Sequence, residues 1–189
     1  KQDLELVLRA LQKHQLFAFS RFGDGELALI ENRQLCVNKP VEYWHTDVWF
    51  AGERMKQCLT CREPDYYVGI SCPCCDYDSF YAYAKTLGDA KNLTYANLFV
   101  NANWQRAERA LRRIPGYFLV GSSPLADLRI PVELDKVTPE QVALVVERLK
   151  HAQGPIYVAA GPLANIIIYE YWTTIRQQAI IDVGSIFDY

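Results

Sequence analysis

Several absences narrow the function before any motif is read. No run of about 18 apolar residues occurs, so no transmembrane helix is expected. Basic residues are not in surplus. The 20 Lys and Arg stand against 22 Asp and Glu, the signs are mixed along the chain, and a net charge of −2 leaves no electrostatic footprint for nucleic acid. No internal repeat, low-complexity tract or linker breaks the 189 residues, so one domain with a sizeable core is expected over 1–189. The opening Lys1-Gln2-Asp3-Leu4-Glu5-Leu6 does not read as a signal peptide. No Gly-x-Gly-x-x-Gly follows the first strand-like run, and no acidic residue sits suitably after a second strand, which argues against a dinucleotide-binding enzyme.

Cysteine, in contrast, is crowded. Six residues stand at 36, 58, 61, 72, 74 and 75. This bunching does not resemble the spread framework of a small secreted protein, so a reducing compartment is expected, cytoplasmic or at a membrane surface through partners. A loop-rich segment near 58–78 is expected to carry most of them. Zinc held by Cys58, Cys61, Cys72 and Cys75 is one reading; metal-free thiols and a disulfide are the others.

Apolar runs of strand length alternate with helical periodicity. Helices are expected over 3–14, 24–32, 46–59, 80–86, 103–113, 138–152 and 161–178. Strands are expected over 16–21, 66–70, 96–100, 117–120, 156–160 and 179–183, with a short extended piece at 129–134. An aromatic loop, Tyr43-Trp44-His45, precedes the third helix. Thr138-Pro139-Glu140-Gln141 is a helix start, with a capping Thr, Pro in the first turn and Gln at the capping-box position. This alternation predicts an α/β fold, a single Rossmann-like domain with a mostly parallel sheet and helices on both faces.

In such a sheet every strand-to-helix junction lies on the carboxyl edge, and the unusual residues gather at those junctions. Segments 21–26, 71–78, 101–104, 121–124, 161–165 and 184–188 are therefore expected to line a ligand site. Gly161 and Pro162 open a helix whose outward amides suit an anion, and Gly121 and Ser122 add donors. Within Arg21-Phe22-Gly23-Asp24-Gly25-Glu26, two carboxylates flank Gly25 at the end of the first strand. Asp24 and Glu26 are hard oxygen ligands suited to Mn²⁺ or Mg²⁺ shared with substrate phosphates. They also suit a helix start, where acidic groups favour the first turn. Arg21 can hold a phosphate bidentately or pair with either carboxylate.

These residues resemble the signature of the GT-D-fold glycosyltransferases, whose Asp-x-Glu motif binds a divalent metal. Ala159-Ala160-Gly161-Pro162-Leu163-Ala164 and, after some fifteen residues, Ala179-Ile180-Ile181-Asp182-Val183-Gly184-Ser185 look like that family's closing blocks. The resemblance implies transfer of a sugar from a nucleotide-diphosphate donor, a UDP-sugar in the first place, to a saccharide acceptor, free or joined to lipid or protein. The setting would be glycan or surface polysaccharide assembly. It implies Asp24 and Glu26 as metal ligands and catalytic groups. Arg21, Gly23, Gly25, Gly121, Ser122, Gly161, Pro162, Asp182 and Ser185 would lie around the donor. Members of the family carry His after the Asp-x-Gly; here Ser185 stands there, so any catalytic duty of that His falls to another group. Inversion at the anomeric carbon would need a base, with Asp76, Asp78, Asp182 and Asp47 as candidates. The alternative is a non-catalytic carbohydrate-binding or scaffolding module of a polysaccharide-assembly protein.

Overall fold

The computed structural model describes residues 2–33, 48–90, 92–100, 103–130 and 136–187. Cys36, the loop Tyr43-Trp44-His45, Asp47 and most of the 129–134 segment lie outside them.

Seven strands form one parallel sheet: β1 (Ala18–Phe22), β2 (Tyr66–Ile70), β3 (Leu93–Tyr95), β4 (Phe118–Gly121), β5 (Leu128–Arg129), β6 (Ile156–Ala159) and β7 (Ile180–Asp182). Their order is β3-β2-β1-β7-β6-β4-β5. The first and last strands therefore pair at the centre, with Ala18 opposite Ile180. Helices α1 (Gln2–Gln12), α2 (Asp24–Ile30), α3 (Glu53–Leu59), α4 (Tyr77–Leu87), α5 (Trp104–Leu111), α6 (Pro139–Leu149) and α7 (Leu163–Thr174) cover both faces.

Two cores follow from the alternation of side chains along the strands. One face packs Leu27 and Leu29 of α2, Met55 of α3, Tyr83 of α4, Val142 of α6 and Ile167 of α7 against Phe22, Val68 and Val158. The other packs Leu4, Leu8 and Leu11 of α1 and Ala107 and Leu111 of α5 against Phe19, Leu119 and Ile181. Helix α7 has the most buried sequence; Leu163 to Ile168 are all buried, as expected of a helix set against the middle of the sheet. The predicted α/β class and the helices on both faces are what the structure has.

Several boundaries differ, each for a local reason. The run at 96–100 is not a strand: β3 ends at Tyr95, and Ala96–Phe99 turns into a 3₁₀ helix that drives Leu98 and Phe99 into the second core. Segment 101–104 thus does not follow a strand directly. The third helix starts at Glu53 rather than 46, because Gly52 precedes it with φ +61°. Helix α7 stops at Thr174 rather than 178, since Arg176 takes φ +52° and the Gln178 amide donates to Tyr171 Oη at 3.0 Å. Thr138 caps α6 as predicted: its Oγ1 accepts from the Gln141 amide at 3.3 Å, and Gln141 Oε1 accepts from the Thr138 amide at 2.8 Å.

Candidate active site

The sheet order sets the carboxyl-edge segments side by side. From β2 to β4 these are the cysteine turn, the Arg21–Glu26 segment, the Asp182–Ser185 turn, Gly161-Pro162 and Gly121-Ser122. The two blocks picked out at opposite ends of the chain therefore meet on neighbouring strands, β1 and β7.

Helix α2 begins at the first of them. Glu26 reaches back so that its Oε2 accepts from the Gly23 amide at 2.8 Å, while Asp24 Oδ1 accepts from the Gly25 amide at 3.0 Å. Gly23 has no side chain to return a hydrogen bond, so only the Glu26 half of a capping box is present. Asp24 is exposed and Glu26 partly buried. Burial pushes the Glu26 carboxyl up from an ordinary 4.5 to about 7; the Gly23 amide opposes this, nearby Asp182 adds to it and Arg21 opposes it. Tyr83 of α4 donates its hydroxyl to the Gly23 carbonyl at 2.5 Å, which ties the segment to the neighbouring helix.

Asp182 closes β7. It is buried, and its Oδ1 accepts from the Gly184 amide at 2.8 Å. Burial raises its pKa, while Arg21 and the Gly184 amide pull the other way. Gly184 has φ +56°, and a Cβ there would fall 2.2 Å from Arg21 Nη1. The glycine is thus both the left-handed residue of the turn and the floor on which the guanidinium lies. Nε and Nη1 of Arg21 are buried without a hydrogen-bond partner, and Asn165 Oδ1 is in the same state. Asn165, from the first turn of α7, donates to Ser20 Oγ at 2.9 Å and to the Arg21 carbonyl at 2.7 Å. Arg21 is thus a cation with unmet donors, fixed from behind and flanked by Glu26 and Asp182.

The other predicted residues divide. Gly161 takes φ +54° and is exposed just ahead of α7, and Pro162 is its buried N-cap. A Cβ at Gly121 would meet the Ala159 carbonyl oxygen at 2.6 Å, so the glycine serves the close β4–β6 approach. Ser122 and Ser185 are exposed on the same rim, and Gly25 is buried in α2. Asp76 caps α4, accepting from the Ser79 amide at 3.1 Å, and Asp78 is exposed in that helix's first turn. Trp49 is used in packing: its Nε1 donates to the Val137 carbonyl at 2.8 Å.

The four-thiol set does not assemble. Cys58 is buried in α3 with its Sγ donating to the Arg54 carbonyl, and Cys61 precedes β2. Cys72 and Cys75 follow the far end of that five-residue strand, roughly 16 Å on at about 3.3 Å per residue. The cysteines bracket a core strand instead of sharing an inserted loop.

Tyr83 was missed as a site residue, and Asn165 fell within the expected 161–165 segment with no role of its own. Tyr83 keeps ordinary helical spacing with Phe80 and Leu87, and only its contact with Gly23 reveals it. Asn165 had a signal: a lone polar residue within an otherwise apolar helix, Leu163 to Ile168.

No protein-family model matches this chain, and no curated protein matches it in sequence. Solved structures do match in fold. One, described as "The highly conserved domain of unknown function 1792 has a distinct glycosyltransferase fold", aligns with a TM-score of 0.62 at 15% identity, covering 97% of this chain and 77% of that one. Another, "A New Glycosyltransferase (DUF1792) from Streptococcus sanguinis", aligns with a TM-score of 0.60 at 13% identity, covering 97% and 80%. The chain therefore has the α/β architecture of proteins described as having a glycosyltransferase fold.

Proposed function

We propose that this domain is a metal-dependent glycosyltransferase of the Asp-x-Glu type, moving a sugar from a nucleotide diphosphate, a UDP-sugar in the first place, to a saccharide acceptor in glycan or surface polysaccharide assembly. The observation that carries the reading is the Arg21 guanidinium. It has two buried nitrogens without partners, is seated on Gly184 and is flanked by Glu26 and Asp182 at the carboxyl edge. The fold likeness supports it.

The donor set fits a hard divalent cation. Asp24 and Glu26 are hard oxygen donors of the kind a divalent cation takes, and a carboxylate raised to about 7 by burial gains from a neighbouring positive charge. Asp24 and Glu26 would hold Mn²⁺ or Mg²⁺. Such an ion, when bound, neutralises charge that develops on the leaving diphosphate. Arg21 attracts the diphosphate through the charge of its guanidinium. Asp182 and Asn165 orient Arg21 from behind, one through its charge and the other through the backbone carbonyl. Amides ahead of α7, near Gly161, add to the anion cradle. The Asp182 carboxylate is engaged by backbone amide, which suits it to positioning rather than to proton abstraction. Tyr77 and Tyr81, exposed and stacked with centroids 6.4 Å apart on α4, offer an apolar face to an acceptor sugar.

The test is sugar transfer or donor hydrolysis with and without Mn²⁺. Asp24→Asn and Glu26→Gln should each lose about 10²–10³-fold in kcat, the usual scale for removing one group that stabilises developing charge. Glutamine can still accept from the Gly23 amide, so the helix start survives. Full activity in both variants removes the metal role. Binding of glycan without nucleotide or metal would mark a non-catalytic module instead.

A further inference from the structure

The turn after β2 holds three thiols that the proposed reaction does not use. Sγ atoms of Cys72, Cys74 and Cys75 all lie within 4.8 Å of one another, with Cys72–Cys75 at 3.3 Å and Cys74–Cys75 at 3.8 Å. The backbone builds this convergence. The amides of Cys75 and Asp76 both donate to the Cys72 carbonyl at 3.0 Å, wrapping the turn around it, and Asp76 then caps α4. Asn97 Nδ2 points at Cys75 Sγ from 3.9 Å.

We propose that Cys72, Cys74 and Cys75 bind one thiophilic divalent cation, zinc(II) in the first place, at a three-sulfur site with its fourth position open to solvent. Two observations carry this. Zn–S bonds of about 2.3 Å set sulfurs about 3.8 Å apart on a tetrahedral face; Cys74–Cys75 matches that value at 3.8 Å, and Cys72–Cys75, at 3.3 Å, has only to open slightly. A disulfide would instead need sulfurs at about 2.05 Å and leave the third thiol idle. Asn97 supplies the outer donor that thiolate ligands commonly accept.

Binding balances simply. Each thiol gives its proton to solvent as its sulfur bonds the cation, and no electrons are exchanged. The bound ion would clamp the β2–α4 turn. Phe22 pairs with Ile70, two residues before Cys72, and α4 carries Tyr83, which holds Gly23, so the clamp stiffens one wall of the candidate active site. The inference stands without the glycosyltransferase reading.

Cobalt(II) is the probe, added at one equivalent to the reduced, metal-stripped chain. A thiolate-to-cobalt charge-transfer band with a one-to-one endpoint, bleached by zinc, is expected. Cys74→Ser and Cys75→Ser, both at exposed positions that the core does not need, should each weaken binding by about tenfold or more. Cys61→Ser should leave the band unchanged, as should the double variant Asp24→Asn with Glu26→Gln, since oxygen ligands give no such band. That last variant separates this site from the carboxylate site. No band in the parent chain, a band that survives loss of both Cys74 and Cys75, or a Cys72–Cys75 disulfide formed in preference to zinc uptake overturns the proposal.

Discussion

At the scale of single residues, Glu26 ties stability to pH. In the metal-free chain its folded pKa of about 7 lies above the ordinary 4.5, so between these values the folded state binds more protons than the unfolded one. Stability then falls as pH rises through that window, by on the order of 2–3 kcal/mol, and levels off above it. Urea midpoints measured in chelator from pH 4.5 to 8 should show the decline, and Glu26→Gln should flatten most of it; an unchanged slope would place the burden on another group. Gly184→Ala makes a sharper test of the Arg21 seat. The added methyl meets Nη1 and the left-handed φ is strained, so a loss of about 1–2 kcal/mol is expected together with a weaker donor KM. Unfolding curves and donor titrations read the two effects separately. Arg21–Glu26 stood out in the sequence because two carboxylates at a strand end are costly without a cation or helix start to offset them, whereas Asp182–Ser185 stood out through the family resemblance. What linked them was not legible there. The Arg21 guanidinium over Gly184 and the Tyr83 hydroxyl on Gly23 are contacts between residues distant in the chain, and no local pattern encodes them.

At the scale of elements, helix starts were readable where side chains meet the first amides. Thr138→Ala should cost about 1 kcal/mol, read as a shift in thermal midpoint, because it removes the oxygen that accepts from the Gln141 amide. Asn165→Ala removes two hydrogen bonds to β1 from inside a buried helix; a loss of about 1–3 kcal/mol is expected, with activity lowered beyond what the stability change explains. Equal activity per folded molecule would limit Asn165 to packing. Strand and helix periods carried most elements correctly. Apart from the start of α3 after Gly52, they failed where the backbone turned without a glycine or proline to announce it. Ala96–Phe99 reads as apolar and extended, yet it coils to bury Leu98 and Phe99. Arg176 ends α7 with a positive φ that nothing in its residue type signals.

At the scale of the molecule, ligand binding should register as global stability. A nucleotide sugar at 100 times its Kd adds about 2.7 kcal/mol to the folded state, so a thermal scan of donors with Mn²⁺ should single out one base and sugar, and EDTA should cancel the gain. Arg21→Ala should abolish that shift while leaving any cobalt band of the cysteine turn intact. No helix among the described residues is long and apolar enough to cross a membrane.

The central pairing of β1 with β7 also governs how the protein is made. Ala18 leaves the ribosome long before Ile180, and until β7 arrives β1 has a bare edge on the side away from β2. The earlier strands can collect meanwhile, but joining the halves requires closing a loop that runs from Ala18 to Ile180, a slow event with an exposed edge at risk of aggregation. Since Asp182 and Gly184 arrive with that closing strand, a nascent chain stopped short of them holds Arg21 without its seat. The proposed donor site therefore cannot form until β7 and the turn after it have been made.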